Sequence, residues 1–179
     1  MTSTVSSVIA VPTAEAMREL GRRLAELLRP GDLVVLSGDL GAGKTTLTQG
    51  LGAGLGVRGD VTSPTFVIAR VHPSTVGGPA LVHVDAYRLE SLAEVDDLDL
   101  DAALEESVTV VEWGAGLVEG LAEDRLELTL LRPRGGDIAG QGLVEGDLDG
   151  DLDGDQPRRV ELSAVGARWA GGRLPEASP

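Results

Sequence analysis

The chain has 179 residues, 42% of them hydrophobic, enough for one compact domain with a substantial core. No apolar run approaches the ~20 residues that span a bilayer. The N-terminus lacks the pattern of a secretory signal, and the absence of cysteine excludes disulfides, thiolate metal sites and cysteine nucleophiles. These features point to a cytoplasmic, non-membrane protein. A formal net charge of −14 repels phosphate backbones, so DNA is not expected as a partner, and RNA only where another protein holds it.

Residues 13–28 predict an amphipathic helix, with Thr13 as N-cap and Met17, Leu20, Leu24, Leu27 and Leu28 at helical spacing; Pro30 and Gly31 stop it. Leu33 to Leu36 form a short apolar strand that runs into a glycine loop. A second helix is expected from about Lys44 to Leu55, weakened by Gly50, Gly52 and Gly54. Strands follow at Phe66 to Val71, Leu81 to Val84 and Val108 to Val111, with a turn over 72–79 and short helices over 91–105. Later strands are expected at 126–131 and 160–163. Strands alternating with helices predict an α/β fold with a largely parallel central sheet and antiparallel additions, in one domain over 1–170.

Residues 136–157 read as an acidic, low-complexity insertion, expected to be disordered like the tail from 171. Asp149, Asp151, Asp153 and Asp155 with Gly154 imitate the first half of an EF-hand loop. The twelfth position is Val160, where a bidentate glutamate is needed, so no calcium site is assigned.

The chemistry concentrates at residues 38–45. Gly38, four intervening residues, then Gly43, Lys44 and Thr45 satisfy the P-loop pattern between a strand and a helix. Glycines let the backbone turn its N–H groups towards phosphates, and the helix adds its positive end. Lys44 is expected to bridge the β- and γ-phosphates and the Thr45 hydroxyl to ligate magnesium. Of 15 basic residues Lys44 is the only lysine. A compact ammonium has survived where a planar guanidinium would not fit. Its uniqueness also removes the Asn/Thr-Lys-x-Asp motif of guanine-reading GTPases, leaving ATP as the expected nucleotide. Asp85 and Glu112 each end a predicted strand, where acids of a parallel sheet converge on the P-loop crevice. Either acid is a candidate to hold the metal, directly or through water, and Glu112 also to orient the attacking water.

Four motifs in series make a family resemblance specific. Residues 38–46, then Ser63, Pro64, Thr65 and Phe66, then residues 83–89 with His83, Asp85, Tyr87 and Arg88, then Val111, Glu112 and Trp113 resemble the TsaE family of P-loop ATPases. The match runs over about residues 9–132 and more weakly over 158–164. Three of the chain's four aromatic residues, Phe66, Tyr87 and Trp113, lie inside these motifs. The resemblance implies a three-layer P-loop NTPase fold. It also implies a magnesium-dependent ATPase that supports threonylcarbamoylation of the tRNA adenosine beside the anticodon.

The resemblance implies site roles as well. Thr45 and Glu112 lie at the magnesium and Asp85 is the Walker-B-like acid, with Lys44, Asp85 and Glu112 the catalytic set. Asp39, Leu40, Gly41, Ala42, Gly43, Lys44, Thr45 and Thr46 cradle the nucleotide, which Thr13 and Arg158 also approach. Residues 63–66 and 112–113 are switch-like. The implied partners are TsaD and TsaB type proteins, with tRNA met only indirectly. Val84 and Ala86 stand where the family commonly has bulkier residues, and the acidic insertion blurs the alignment of Arg158. A small-molecule or nucleotide kinase, with Arg88 or Arg132 on a lid, and a non-catalytic ATP-gated adaptor are the alternatives.

Overall fold

The computed structural model describes residues 4–64, 68–87, 104–132 and 156–175. The order is β1 (Thr4–Val11), α1 (Ala14–Ala25), β2 (Leu33–Gly38), α2 (Lys44–Leu55), β3 (Ala69–His72), β4 (Ala80–Asp85), β5 (Ser107–Glu112), β6 (Arg125–Leu131) and β7 (Arg158–Val165). They form one seven-stranded sheet in the order β1-β7-β6-β2-β5-β4-β3. The four inner neighbours, β6, β2, β5 and β4, are parallel, whereas β7, β1 and β3 add antiparallel edges. This is the parallel core with antiparallel additions that the chain order predicts.

The alternation of each strand divides two cores. On one face Val34 and Leu36 of β2, Val108 and Val110 of β5 and the inward residues of β6 and β7 pack under α1 and α2. On the other, Leu33, Val35, Val82, Val84 and Val111 meet Leu104 and Val118. β2 and β5 are buried along nearly their whole length, as strands covered on both faces are.

Helix α1 starts where predicted and ends at Ala25, short of the Leu28 expected. Thr13 caps it, its hydroxyl accepting from the Ala16 N–H at 3.0 Å, and Met17, Leu20 and Leu24 are buried. The glycines that lower the propensity of α2 are a packing device. A Cβ on Gly50 would lie 2.1 Å from the Arg18 carbonyl oxygen, one on Gly54 2.6 Å from the Ala25 Cβ, and one on Gly21 2.4 Å from the Leu47 carbonyl oxygen. Backbone meets backbone along this seam, so propensity is sacrificed for close approach.

Several elements differ from expectation. β1 was not anticipated, because its serine-rich first half buries little and only Ile9 and Val11 reach the core. β3 starts at Ala69, and residues 65–67 lie outside the described residues, as do all but the last two positions of the helices expected over 91–105 and most of the acidic insertion. Val160, the would-be twelfth EF-hand position, is a fully buried residue of β7. Beyond Gly171, the Pro175 carbonyl accepts from the Ser7 hydroxyl at 3.2 Å. Trp169, near the C-terminal end, is buried in the main core under the Arg168 guanidinium. Among the described residues no helix is long and apolar enough to cross a membrane.

Candidate functional site

β2 ends at Gly38 and α2 begins at Lys44, so the glycine loop turns between the innermost strand and the helix that covers it. Gly38, Gly41 and Gly43 all have positive φ (148°, 74° and 104°), and a Cβ on Gly38 would fall 2.6 Å from the Leu130 carbonyl oxygen. Only glycine fits this path. Gly43 is the N-cap of α2 and supplies no side-chain acceptor, so the first-turn N–H groups of α2 have no cap. An uncapped helix end beside a glycine turn is suited to an anion.

Lys44 is 94% buried, its Nζ donating to the carbonyls of Gly38 at 2.7 Å and Asp39 at 3.0 Å. That nitrogen lies 4.2 Å from the centre of the Trp113 ring. Burial lowers the ammonium's pKa, and the charges of Glu112, Asp85 and Asp39 oppose that shift. A desolvated cation held by carbonyls and a ring retains much of its electrostatic demand for an anion.

The two acids stand side by side, Asp85 paired with Glu112 in the parallel register of β4 and β5. Alternation places both on the α2 face. Asp85 Oδ1 accepts from the Tyr87 N–H at 3.0 Å, which fixes its carboxylate at the strand end. Glu112 Oε1 lies 3.3 Å from Thr45 Oγ1 and 2.9 Å from His83 Nε2. A threonine hydroxyl and a carboxylate are hard oxygen donors of the kind magnesium takes, so Thr45 and Glu112 fit that ion. Trp113 leaves the strand in a left-handed conformation (φ 62°), and its ring meets Tyr87 edge-on at 5.2 Å.

These groups line one cleft of about 560 Å³. At one end are Thr13, Gln156 and Arg158; at the other are Ser63, Asp85, Tyr87, Glu112 and Trp113. The P-loop residues from Leu40 to Thr46 form the floor. Of the residues expected to bind nucleotide or metal (Thr13, Asp39 to Thr46, Asp85, Glu112 and Arg158), only Asp39 is missing from the lining; its carbonyl receives Lys44 and the Ala42 N–H. Arg158 crosses from β7 to the Gly41 carbonyl at 3.4 Å. Its pKa is lowered by burial and by the neighbouring Arg132, which itself reaches the Leu40 carbonyl at 3.5 Å.

Sequence reasoning missed Met17 and Gln156. Met17 sits beneath the loop, its Cε 3.3 Å from where a Gly43 Cβ would be, but helical periodicity marks it only as core. Tyr87 and Trp113 carried a usable signal in the scarcity of aromatics.

A glycine cradle between the innermost parallel strand and its covering helix, answered by acids at the tips of two adjacent strands, defines the P-loop class of α/β proteins. Comparison narrows that class. The family model described as "Threonylcarbamoyl adenosine biosynthesis protein TsaE" matches residues 11–136, and the chain belongs to this family. The protein of Streptomyces coelicolor named tRNA threonylcarbamoyladenosine biosynthesis protein TsaE is 63% identical over 86% of this chain and 94% of its own. The Bacillus subtilis protein of the same name is 40% identical over 66% of this chain and 73% of its own. The crystal structure of Bacillus subtilis YdiB superposes with a TM-score of 0.65 at 29% identity, covering 96% of this chain and 92% of that one.

Proposed function

We propose that the chain is a magnesium-dependent ATPase subunit of the machinery that makes threonylcarbamoyladenosine in tRNA. In this reading it acts on an assembly of TsaD and TsaB type proteins and resets it between turnovers. The observation that carries the reading is the convergence of Lys44, Thr45, Asp85 and Glu112 on one cleft beside an uncapped helix end. The relatives' names supply the pathway.

Each residue then has a task that follows from its position. The first-turn N–H groups of α2 and Lys44 bind the phosphates. Thr45 Oγ1 and Glu112 would hold magnesium, which when bound would supply charge neutralisation and Lewis acidity at the phosphates. Asp85, fixed by the Tyr87 N–H, holds water against that centre. Thr13 and Arg158 contact the nucleotide from the opposite end of the cleft. Trp113 must leave the Lys44 ammonium or share it when phosphate arrives, which makes the 112–113 segment sensitive to nucleotide.

The test is purification of the chain with transferase partners, measuring phosphate release and modified adenosine together. ATP-dependent modification that requires this chain supports the reading. Phosphate transfer to a small-molecule acceptor would replace it with the kinase alternative, and modification that needs ATP binding without phosphate release would replace it with the adaptor.

A further inference from the structure

β4 carries one residue that no step above uses. Leu81, His83 and Asp85 share the α2 face, yet His83 is fully buried where Leu81 beside it is simple core. Its Nε2 lies 2.9 Å from Glu112 Oε1. A carboxylate only accepts, so Nε2 carries the hydrogen of this bond. Among the described residues Nδ1 has no hydrogen-bond partner. An orphaned buried polar atom carries an uncompensated desolvation cost that a leucine or valine at this position would not incur. The ring is therefore a poor choice for packing, and its one satisfied atom points at Glu112.

The geometry at Glu112 shows what that bond does. Oε1 receives His83 at 2.9 Å and Thr45 Oγ1 at 3.3 Å, so both neighbours crowd one oxygen and His83 makes the shorter contact. Among the described residues Oε2 receives no hydrogen bond, which leaves it for a ligand or water. We propose that His83 is a positioning residue for Glu112: its Nε2–H pins Oε1 and fixes the carboxylate plane, so that Oε2 is presented to the metal or to water at the phosphate end of the cleft. This rests on the ATPase reading and adds a residue to it. Such partners orient metal-binding carboxylates in many sites, where their loss weakens affinity or rate.

Two polar replacements separate positioning from packing. The amide nitrogen of glutamine reaches the place of Nε2, whereas that of asparagine stops near Nδ1. In the full chain with its partners, His83→Asn should lower kcat and the magnesium-dependent gain in ATP affinity by about 10–100-fold. ATP affinity without magnesium should stay within about threefold of the parent, and His83→Gln should recover most of the loss. Nitrogen NMR of the parent chain should place the imidazole proton on Nε2 and show its resonance shift in Glu112→Gln, a readout that needs no turnover and stands if either His83 variant fails to fold. A parent chain that binds Mg-ATP while His83→Asn and His83→Gln behave alike, or one whose proton resides on Nδ1, overturns the positioning role alone. A parent chain that binds no ATP removes the proposed function and this role together.

Discussion

Lys44 is the central cation of the proposed function, and its environment suits a compact ammonium. Its nitrogen is 2.7 and 3.0 Å from two carbonyls of its own loop and 4.2 Å from an indole ring, leaving no room for a planar fork. Lys44→Ala should abolish nucleotide binding or turnover, and Lys44→Arg should fail to restore it. Normal phosphate release in the arginine variant would show that charge alone suffices. Glu112→Gln keeps the shape of the carboxylate and removes its charge, so hydrolysis should fall by about 10²-fold or more with a modest change in ATP affinity. Unaltered hydrolysis in that variant, with partners present, would leave Asp85 as the working acid. At this scale the sequence was most legible: the P-loop spacing, the single lysine and the two strand-ending acids pick out residues that the structure gathers in one cleft. His83, Met17 and Gln156 escaped, since a histidine or methionine on a buried face gives no sign of which neighbour it touches.

At the scale of elements, the seam between α1 and α2 illustrates a signal that was visible and misread. Gly50, Gly52 and Gly54 look like weakness in a helix considered alone, but Gly50 and Gly54 are one turn apart and both face α1. Gly50→Ala should gain helix propensity and still lose stability, by about 1–3 kcal/mol, because its Cβ would enter the Arg18 carbonyl. Gly120→Ala, where a Cβ meets nothing within 4 Å, is the control in the same thermal melt. Equal melting temperatures for the two variants would mean that the helices can part without cost. β1 was hidden for a different reason. Its partner β7 lies more than 140 residues away in sequence, and only two of its side chains are buried, so the pairing comes from the edge that β7 offers rather than from a local pattern.

For the molecule as a whole, strand order does what local reading cannot. β6 and β7 are antiparallel neighbours with Leu131 opposite Arg159, so the chain leaves the sheet and returns almost at the same point. The acidic segment between them is a closed excursion. Replacing residues 140–155 with a short Gly/Ser linker should change loop-closure free energy by only about 1 kcal/mol and leave ATP binding intact. A calcium-dependent rise in the melting temperature of the unaltered chain, or loss of ATP binding in the shortened one, would contradict this. The α/β class and the parallel core were legible because apolar strands buried on both faces read as continuous runs. The position of each strand in the sheet was not, because it depends on crossovers that leave no mark in composition.

The glycine seam also sets which parts of the cleft can move. α1 begins at the Thr13 wall and α2 begins at the phosphate floor, and the two are locked at backbone contact distance. Packed this closely, the two helices form one plate along the cleft. The Ser63, Tyr87 and Trp113 side of the cleft is built instead from strand ends and loops. Under the proposed function, a partner that senses nucleotide state is expected to read the Ser63, Tyr87 and Trp113 side, because moving either helix would have to break backbone contacts along the seam.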